Sequence, residues 1–423
     1  MVLALLPLAC TTDDGPEYDV PVRNQVISAQ LELDADGSPL ILAEVAMYYG
    51  TKAKLGEFDP KYKSLNAQAV LYSAANGTWS GHSFRNLASP YNGSSFLARN
   101  AKGQVQPLIL DRNRFTLYAP GGAATGTWTA NAVNAITDDL RYGSFSYTGP
   151  AGINMVLAGD SGWQTVVERY DRIPRLELVS STGARVVMDS LIQFQPRTYI
   201  PGKEINRVFG SVPMDESGVP DSLRRYRSQL ICYSWNIAAQ VPVVRKQTLD
   251  TSGSLNTVDP FRIAGEDRFY SQASPDSMVE FALRGDSIVR VRKIEIHRDA
   301  GPGSLTMSGG TPNPAGCLYD LLPIVPDPDP SVGFGLTSSC SSAVDSLPIP
   351  PEPRAAGARS QGLSMRFDAA GDPVLVFPFV KSNEAIFHSD GSIPAGDGSI
   401  GPSWIYLARK RNGKWEWEQV AAF

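Results

Sequence analysis

The sequence predicts an all-β protein made of short antiparallel strands, and three observations lead there. Glycine (38) and proline (32) together supply about one residue in six, more turn formers than a helical bundle carries. The apolar runs are short, and many end in Asx–Gly turns that lead straight into another apolar run. No stretch keeps a helical period over three turns; SLRRYRSQL (222–230) admits a single turn at most. With 42% hydrophobic residues in 423, the chain has enough apolar surface for well-buried cores, which excludes a wholly disordered protein. Its 38 basic and 43 acidic residues give a net charge of −5, so nucleic acid is not expected as the main partner.

The N-terminus stands apart from this pattern. Val2 to Ala9 reads VLALLPLA, too short to span a bilayer, and ends at Cys10 before the polar run Thr11–Asp14. An apolar segment closing on a small residue and cysteine resembles the end of a bacterial lipoprotein signal peptide. Pro7 stands where an aliphatic residue is usual, and no basic stretch precedes the run. The resemblance implies that Cys10 is lipidated and that the protein is exported to the cell envelope. On this reading 1–10 is signal, 11–25 a flexible tether, and 26–423 the folded body.

Within the body, one hairpin recurs. LELDADGSPLILA (Leu31 to Ala43), LARNAKGQVQPLIL (Leu97 to Leu110) and MRFDAAGDPVLVF (Met365 to Phe377) turn at Asp34–Gly37, Asn100–Gly103 and Asp368–Gly371. LELVSSTGARVVM (Leu176 to Met188) is a weaker relative. Asp or Asn accepts backbone N–H bonds of the turn, and Gly takes the positive φ that other residues avoid. A second hairpin places a Gly turn before Trp79, Trp128, Trp163 and Trp415, with Asn76-Gly77 and Asn412-Gly413 as strong turn dipeptides. The two hairpins in succession make one four-stranded antiparallel sheet.

Trp79 and Trp128 lie 49 positions apart, near the ~50-residue period of a propeller blade. The expected architecture is therefore a β-propeller of six or seven four-stranded blades, with long loop insertions at about 50–66, 199–222 and 309–360. The last holds PIVPDPDP (Pro323 to Pro330) and PIPPEP (Pro348 to Pro353), proline-rich enough to read as surface loop. The D-x-x-G-x-P and G-x-W alternation resembles the degenerate repeats of sialidase-like bacterial exported proteins, clearest over 27–171 and 362–423. SAANGTW keeps the Ser and Trp of the sialidase Asp-box but lacks its Asp and spacing, so the resemblance implies the fold without the activity.

Cysteines and polar residues complete the expectations. Cys317 and Cys340 flank a Pro/Asp/Ser-rich stretch and are expected to form a disulfide in an exported protein, whereas Cys232, in LICYSW, reads as a buried apolar residue. His82, His297 and His388 are scattered, and neither HExxH nor G-x-S-x-G occurs, so no catalytic residue is assigned. Glu44, Asp111, Asp189 and Glu384 follow apolar strands where a propeller mouth would lie. Paired acids there would suit a glycan hydrolase, as would arginines (Arg112, Arg114, Arg224, Arg225, Arg227) converging on an acidic substrate. Asp34–Gly37 and Asp390–Asp397 are acidic turns without EF-hand spacing. Arg284-Gly285-Asp286 reads as a hairpin turn, and Asn76 and Asn92 head formal glycosylation sequons. No cofactor or metal is indicated. The expected function is non-catalytic binding or scaffolding by a monomer, with a glycan, peptide or envelope protein as partner; the alternative is a sialidase-like glycan hydrolase.

Overall fold

A computed structural model describes residues 20–50, 62–84, 95–99, 105–111, 114–120, 128–135, 155–158, 162–169, 175–180, 184–190, 195–200, 205–213, 228–236, 244–248, 261–263, 266–274, 277–284, 287–295, 311–323, 333–360, 363–381, 402–411 and 413–423. They form seven antiparallel sheets, each a meander in chain order. Sheet 1 holds β1 (Val20–Leu33), β2 (Pro39–Gly50), β3 (Tyr62–Ala75) and β4 (Thr78–Phe84); sheet 2 holds β5 (Ser95–Arg99), β6 (Val105–Asp111), β7 (Arg114–Pro120) and β8 (Trp128–Ala135). Sheet 3 follows with β9 (Met155–Ala158), β10 (Gly162–Arg169), β11 (Arg175–Ser180) and β12 (Arg185–Asp189), and sheet 4 with β13 (Gln195–Ile200), β14 (Ile205–Pro213), β15 (Ser228–Asn236) and β16 (Arg245–Thr248). Sheet 5 is β17 (Phe261–Ile263), β18 (Glu266–Ser274), β19 (Ser277–Arg284) and β20 (Ser287–Glu295); sheet 6 is β21 (Thr311–Pro312), β22 (Leu318–Pro323), β23 (Phe334–Ser338) and β24 (Ser341–Leu347). After a short helix α1 (Pro351–Ala355), sheet 7 is built from β25 (Ala358–Ser360), β26 (Ser364–Phe367), β27 (Pro373–Lys381), β28 (Ser403–Arg411) and β29 (Lys414–Ala422). β25 and β26 both pair with β27 and act as one interrupted first strand.

The turns explain the meanders. At Asp34 the side chain accepts from Ala35 N, and the backbone closes the turn from Gly37 N to Asp34 O at 2.9 Å, with Gly37 at φ +82°. The Asp368 carboxylate accepts from Ala370 N and Asp372 N, both at 2.9 Å, and Gly371 closes that turn in the same way. A third copy, absent from the sequence reading, starts at Asn313 and ends at Gly316. Asn76 (φ +51°) and Gly77 (φ +75°) make the tight β3–β4 hairpin.

Successive sheets lie against one another. Val26 and Leu31 of sheet 1 pack on Val376, Ile405 and Leu407 of sheet 7. On the other side of sheet 1, Leu42 and Leu71 meet Val105 and Ile109 of sheet 2. β5 lies against β9, bringing sheet 2 to sheet 3. Leu176 and Leu178 of sheet 3 pack on Val208 and Trp235 of sheet 4, whose opposite face sets Phe209 and Cys232 on Phe269 and Phe281 of sheet 5. The Tyr270 hydroxyl donates to Gly316 O at 2.8 Å, joining sheet 5 to sheet 6, and Leu336 and Leu347 then pack on Phe377 and Phe379 of sheet 7. First strands meet one another, as in β1 with β5, β9 with β13 and β26 with β1, so they line the centre and the fourth strands form the rim. A succession of sheets that returns to its start in this way is a β-propeller.

The structure departs from the sequence reading in several places. Val20–Gln25, expected as tether, is already part of β1, and residues 1–19, with Cys10, lie outside the described residues. The stretch 199–222 contains the end of β13 and all of β14. The stretch 309–360 contains an entire sheet, β21–β24, followed by α1 and β25. Among its described prolines, Pro312 and Pro323 end strands and Pro351 and Pro353 stand in the first turn of α1, where a missing N–H costs nothing, so proline content there did not exclude regular structure. Trp163 lies in the second strand of its sheet, whereas Trp79, Trp128 and Trp415 lie in fourth strands; the tryptophans therefore do not mark one repeating position.

Candidate functional site

The antiparallel meander assigns every connection to one end of its sheet. Connections from first to second strand and from third to fourth leave at one end, and none of these is longer than 237–244. Second-to-third connections leave at the opposite end, where fourth strands also finish. Residues 51–61, 214–227, 324–333 and 382–402 join second to third strands there, and 85–94, 136–154, 249–260 and 296–310 lead on from fourth strands. All the long connections thus depart from one end of the strands, the natural place for recognition on a rigid scaffold.

The expected mouth carboxylates have mostly structural surroundings. Glu44 is buried in β2, and its carboxylate accepts from Ser95 N (3.2 Å) and Ser95 Oγ (2.9 Å), tying the start of β5 to sheet 1. Beside it Gln30 behaves like a strand segment, donating to Ser95 O at 2.7 Å and accepting from Leu97 N at 3.2 Å. Asp189 accepts from Tyr233 Oη (2.8 Å) and Lys246 Nζ (2.7 Å) between sheets 3 and 4. Asp111 and Arg114 stand opposite each other in backbone register at the ends of β6 and β7. Glu384, Arg112, Arg224, Arg225 and Arg227 lie outside the described residues, as do His297, His388, Asn92 and Asp390–Asp397. His82 is half-buried in β4 with its ring edge-on to Phe84 at 4.8 Å. Arg284 ends β19 opposite Ser287 of β20 and is paired with Glu266 at 2.7 Å, while Gly285 and Asp286 lie outside the described residues.

Arginines do converge, but on internal carboxylates. Glu280, with no solvent exposure, accepts from Arg268 Nη1 at 2.5 Å and from Arg292 Nε at 2.6 Å. Tyr270 lies alongside, its hydroxyl on Gly316 O, and burial pushes that phenol up to about 12. Hydrogen bonds from Arg284 and Arg268 hold Glu266 below its ordinary value. This network locks sheet 5 to the Asn313–Gly316 turn of sheet 6. Its signal in the sequence was Glu280 inside the apolar run MVEFAL, a charge that a buried strand carries only when paired. Asp36 is lowered by a hydrogen bond from Ser38 N, so plain turn chemistry occupies that acidic turn.

The sulfurs of Cys317 and Cys340 are at bonding distance, with Cα atoms 5.5 Å apart, joining the β21–β22 and β23–β24 turns. Cys232 is a free, buried thiol, pushed up to about 12 by burial. Among the described residues no group of three His, Cys, Asp or Glu side chains could hold a metal ion, and no helix is long and apolar enough to cross a membrane.

No family model and no curated protein matches the chain. Among solved structures it is similar to an acylaminoacyl peptidase from Pyrococcus horikoshii, with 11% identity, a TM-score of 0.45, and coverage of 94% of this chain and 52% of the peptidase. The chain therefore spans about half the length of that enzyme. The β-propeller domain of the Trilobed protease from Pyrococcus furiosus is similar at 9% identity and TM-score 0.40, over 93% of this chain and 98% of that one. The fucose-specific lectin from Aleuria aurantia is similar at 9% identity and TM-score 0.33, over 95% of this chain and 96% of the lectin.

Proposed function

We propose that the chain is a seven-bladed propeller that binds a glycan, peptide or envelope protein without turning it over. Its ligand is taken at the end of the strands from which the long connections depart. The observation that carries this reading is the segregation of connection length, since a scaffold with short turns at one end and long connections at the other is built to present the latter. The engagement of Glu44 and Asp189 in inter-sheet hydrogen bonds supports binding over hydrolysis, because a glycosidase needs two carboxylates held ~5–9.5 Å apart across one cavity. The envelope address rests on lipidation at Cys10.

Replacing 382–402 with a short Gly-Ser linker should abolish capture of the ligand found on a glycan and peptide array, while replacing 100–104 at the opposite end should not. Equal loss in both variants, with melting unchanged, counts against the assigned end. Saturable hydrolysis of any aryl glycoside, abolished by a single carboxylate substitution, overturns binding in favour of the hydrolase. The Cys10→Ser variant should move from the membrane to the soluble fraction, because stable anchoring needs more than one acyl chain.

A further inference from the structure

The seven sheets end in seven outer strands, whose free edges are templates for pairing unless something blunts them. Six carry a visible safeguard. β12, β16, β20, β24 and β29 hold charged residues, among them Asp189, Lys246, Arg290, Asp345 and Lys414. β8 holds none, but its pairing with β7 slips between Leu117 and Tyr118. β4, Thr78–Phe84, has neither device. It contains no Asp, Glu, Lys, Arg or Pro, and its register with β3 runs unbroken from Ala75 opposite Thr78 to Ala69 opposite Phe84. Among the described residues nothing pairs with its outer side, and Thr78, Ser80, Gly81 and Ser83 are exposed.

The turn fixes which backbone groups of β4 face outward. Asn76-Gly77 is a two-residue hairpin turn, so Ala75 and Thr78 exchange both ladder bonds, and alternate pairs after them do the same. Trp79, Gly81 and Ser83 fall at the other positions, and their N–H and C=O groups point away from β3. Gly81 puts no side chain beside this edge. A Cβ there would stand 2.9 Å from the Tyr72 ring, so that ring lies over the glycine from the side of sheet 7 and leaves the edge itself bare. Trp79, on the same face, is already held by its bond to Glu418 at 2.7 Å.

We propose that the edge of β4 is a dimer interface, and that its occupant is β4 of a second copy of this chain, paired antiparallel about a two-fold axis at Gly81. The strand is complementary to itself. With Gly81 on the axis, the outward groups of Trp79 meet those of Ser83 in the second copy, and the two Gly81 backbones meet each other. Each such pair exchanges two N–H···O bonds. On one face the Trp79 indole lies beside the Ser83 hydroxyl of the second copy; on the other, Ser80 stands opposite His82, and both can hydrogen bond. No like charges meet. A foreign strand would bring side chains that β4 does not select, since Thr78, Ser80, Gly81 and Ser83 offer it neither charge nor an apolar surface. Antiparallel pairing directs the long-connection ends of the two copies oppositely. The chain therefore works as a pair, not as the monomer expected from its sequence.

The test uses the full chain with Cys10→Ser, so that no lipid drives association. Analytical ultracentrifugation should show a mass rising from one chain toward two as concentration increases. Ser80→Lys sets two like charges near the axis, and Ser83→Pro removes an outward N–H without breaking a β3–β4 ladder bond. Each change occurs twice in the dimer, so each should weaken association roughly tenfold or more. Thr248→Lys, on the outer strand β16, should associate as the parent does. With β4 unaltered, amide hydrogen exchange over 78–84 should slow as the dimer forms while exchange over 245–248 stays constant, a readout that does not depend on a variant folding. A single-chain mass at every concentration overturns the proposal, as does equal weakening by Thr248→Lys or unchanged exchange over 78–84. Slowing over 78–84 only when an unrelated extended peptide is added overturns the second copy as occupant. Association is read without any ligand, so this interface and the proposed ligand face can fail separately.

Discussion

Cys232 shows how burial alone sets the chemistry of a single group. The thiol lies among Phe209, Phe269 and Phe281, where a thiolate would lose its hydration, and its ionisation moves from 9.0 to about 12. The sign follows directly. Below pH 9 both folded and unfolded thiols are protonated and full stability is present; above it the unfolded thiol ionises first, so stability falls as pH rises toward 12. At pH 10 the loss should be about 1.4 kcal/mol. Urea unfolding at pH 8 and pH 10 should show that extra loss in the parent and not in Cys232→Ala. Tyr72 and Tyr270, also raised to about 12 by burial, contribute equally to both proteins. Alkylation of Cys232 should require unfolding; rapid labelling of the native protein would show that the site opens.

At the scale of elements, sheet 6 is the least self-sufficient. β21 has two residues, β23 has five, and the chain before and after is rich in proline. Gly333 stands where an added Cβ would meet Leu347 O at 2.3 Å, so the entry to β23 tolerates no side chain without a backbone shift. The Cys317–Cys340 link closes a 23-residue separation and ties both turns of the sheet together. By the chain-entropy argument, replacing both cysteines with alanine should cost about 3 kcal/mol. Peptide mapping without reductant should recover the two cysteines in one linked species; two free thiols in oxidised protein would remove the link from the fold.

On the scale of the molecule, the described ring closes by packing, since every described strand of sheet 7 comes from the C-terminal part of the chain. Polar clasps reinforce the seam. Arg366 donates twice to Glu32 Oε1, at 2.8 and 2.5 Å, Ser364 Oγ accepts from Leu31 N, Ser403 Oγ accepts from Val26 N, and Trp79 Nε1 donates to Glu418 at 2.7 Å. A chain starting at Asp34 would lack β1 and expose Val376, Ile405 and Leu407. It should aggregate or lose cooperative unfolding in calorimetry, and a soluble truncated protein with the parental transition would show that the seam contributes little.

The sequence by itself determined what depends on neighbours in the chain. Asp34–Gly37, Asn76-Gly77 and Asp368–Gly371 specify turns through side-chain acceptors and positive φ, and the four-stranded unit follows from them. Such signals are local, so they survive without knowledge of the fold. Sheet 6 escaped because a strand's partners, not its composition, decide whether a proline-rich stretch pairs, and its Asn313–Gly316 turn lacked flanking alternation. The roles of Glu44, Asp189 and Glu280 escaped for a related reason: each is fixed by a group 51, 44 or 12 positions away, and nothing in the chain announces that distance. Only the tertiary structure could set Phe209 and Cys232 of sheet 4 on Phe269 and Phe281 of sheet 5, because sheet packing brings together faces that lie far apart in the chain.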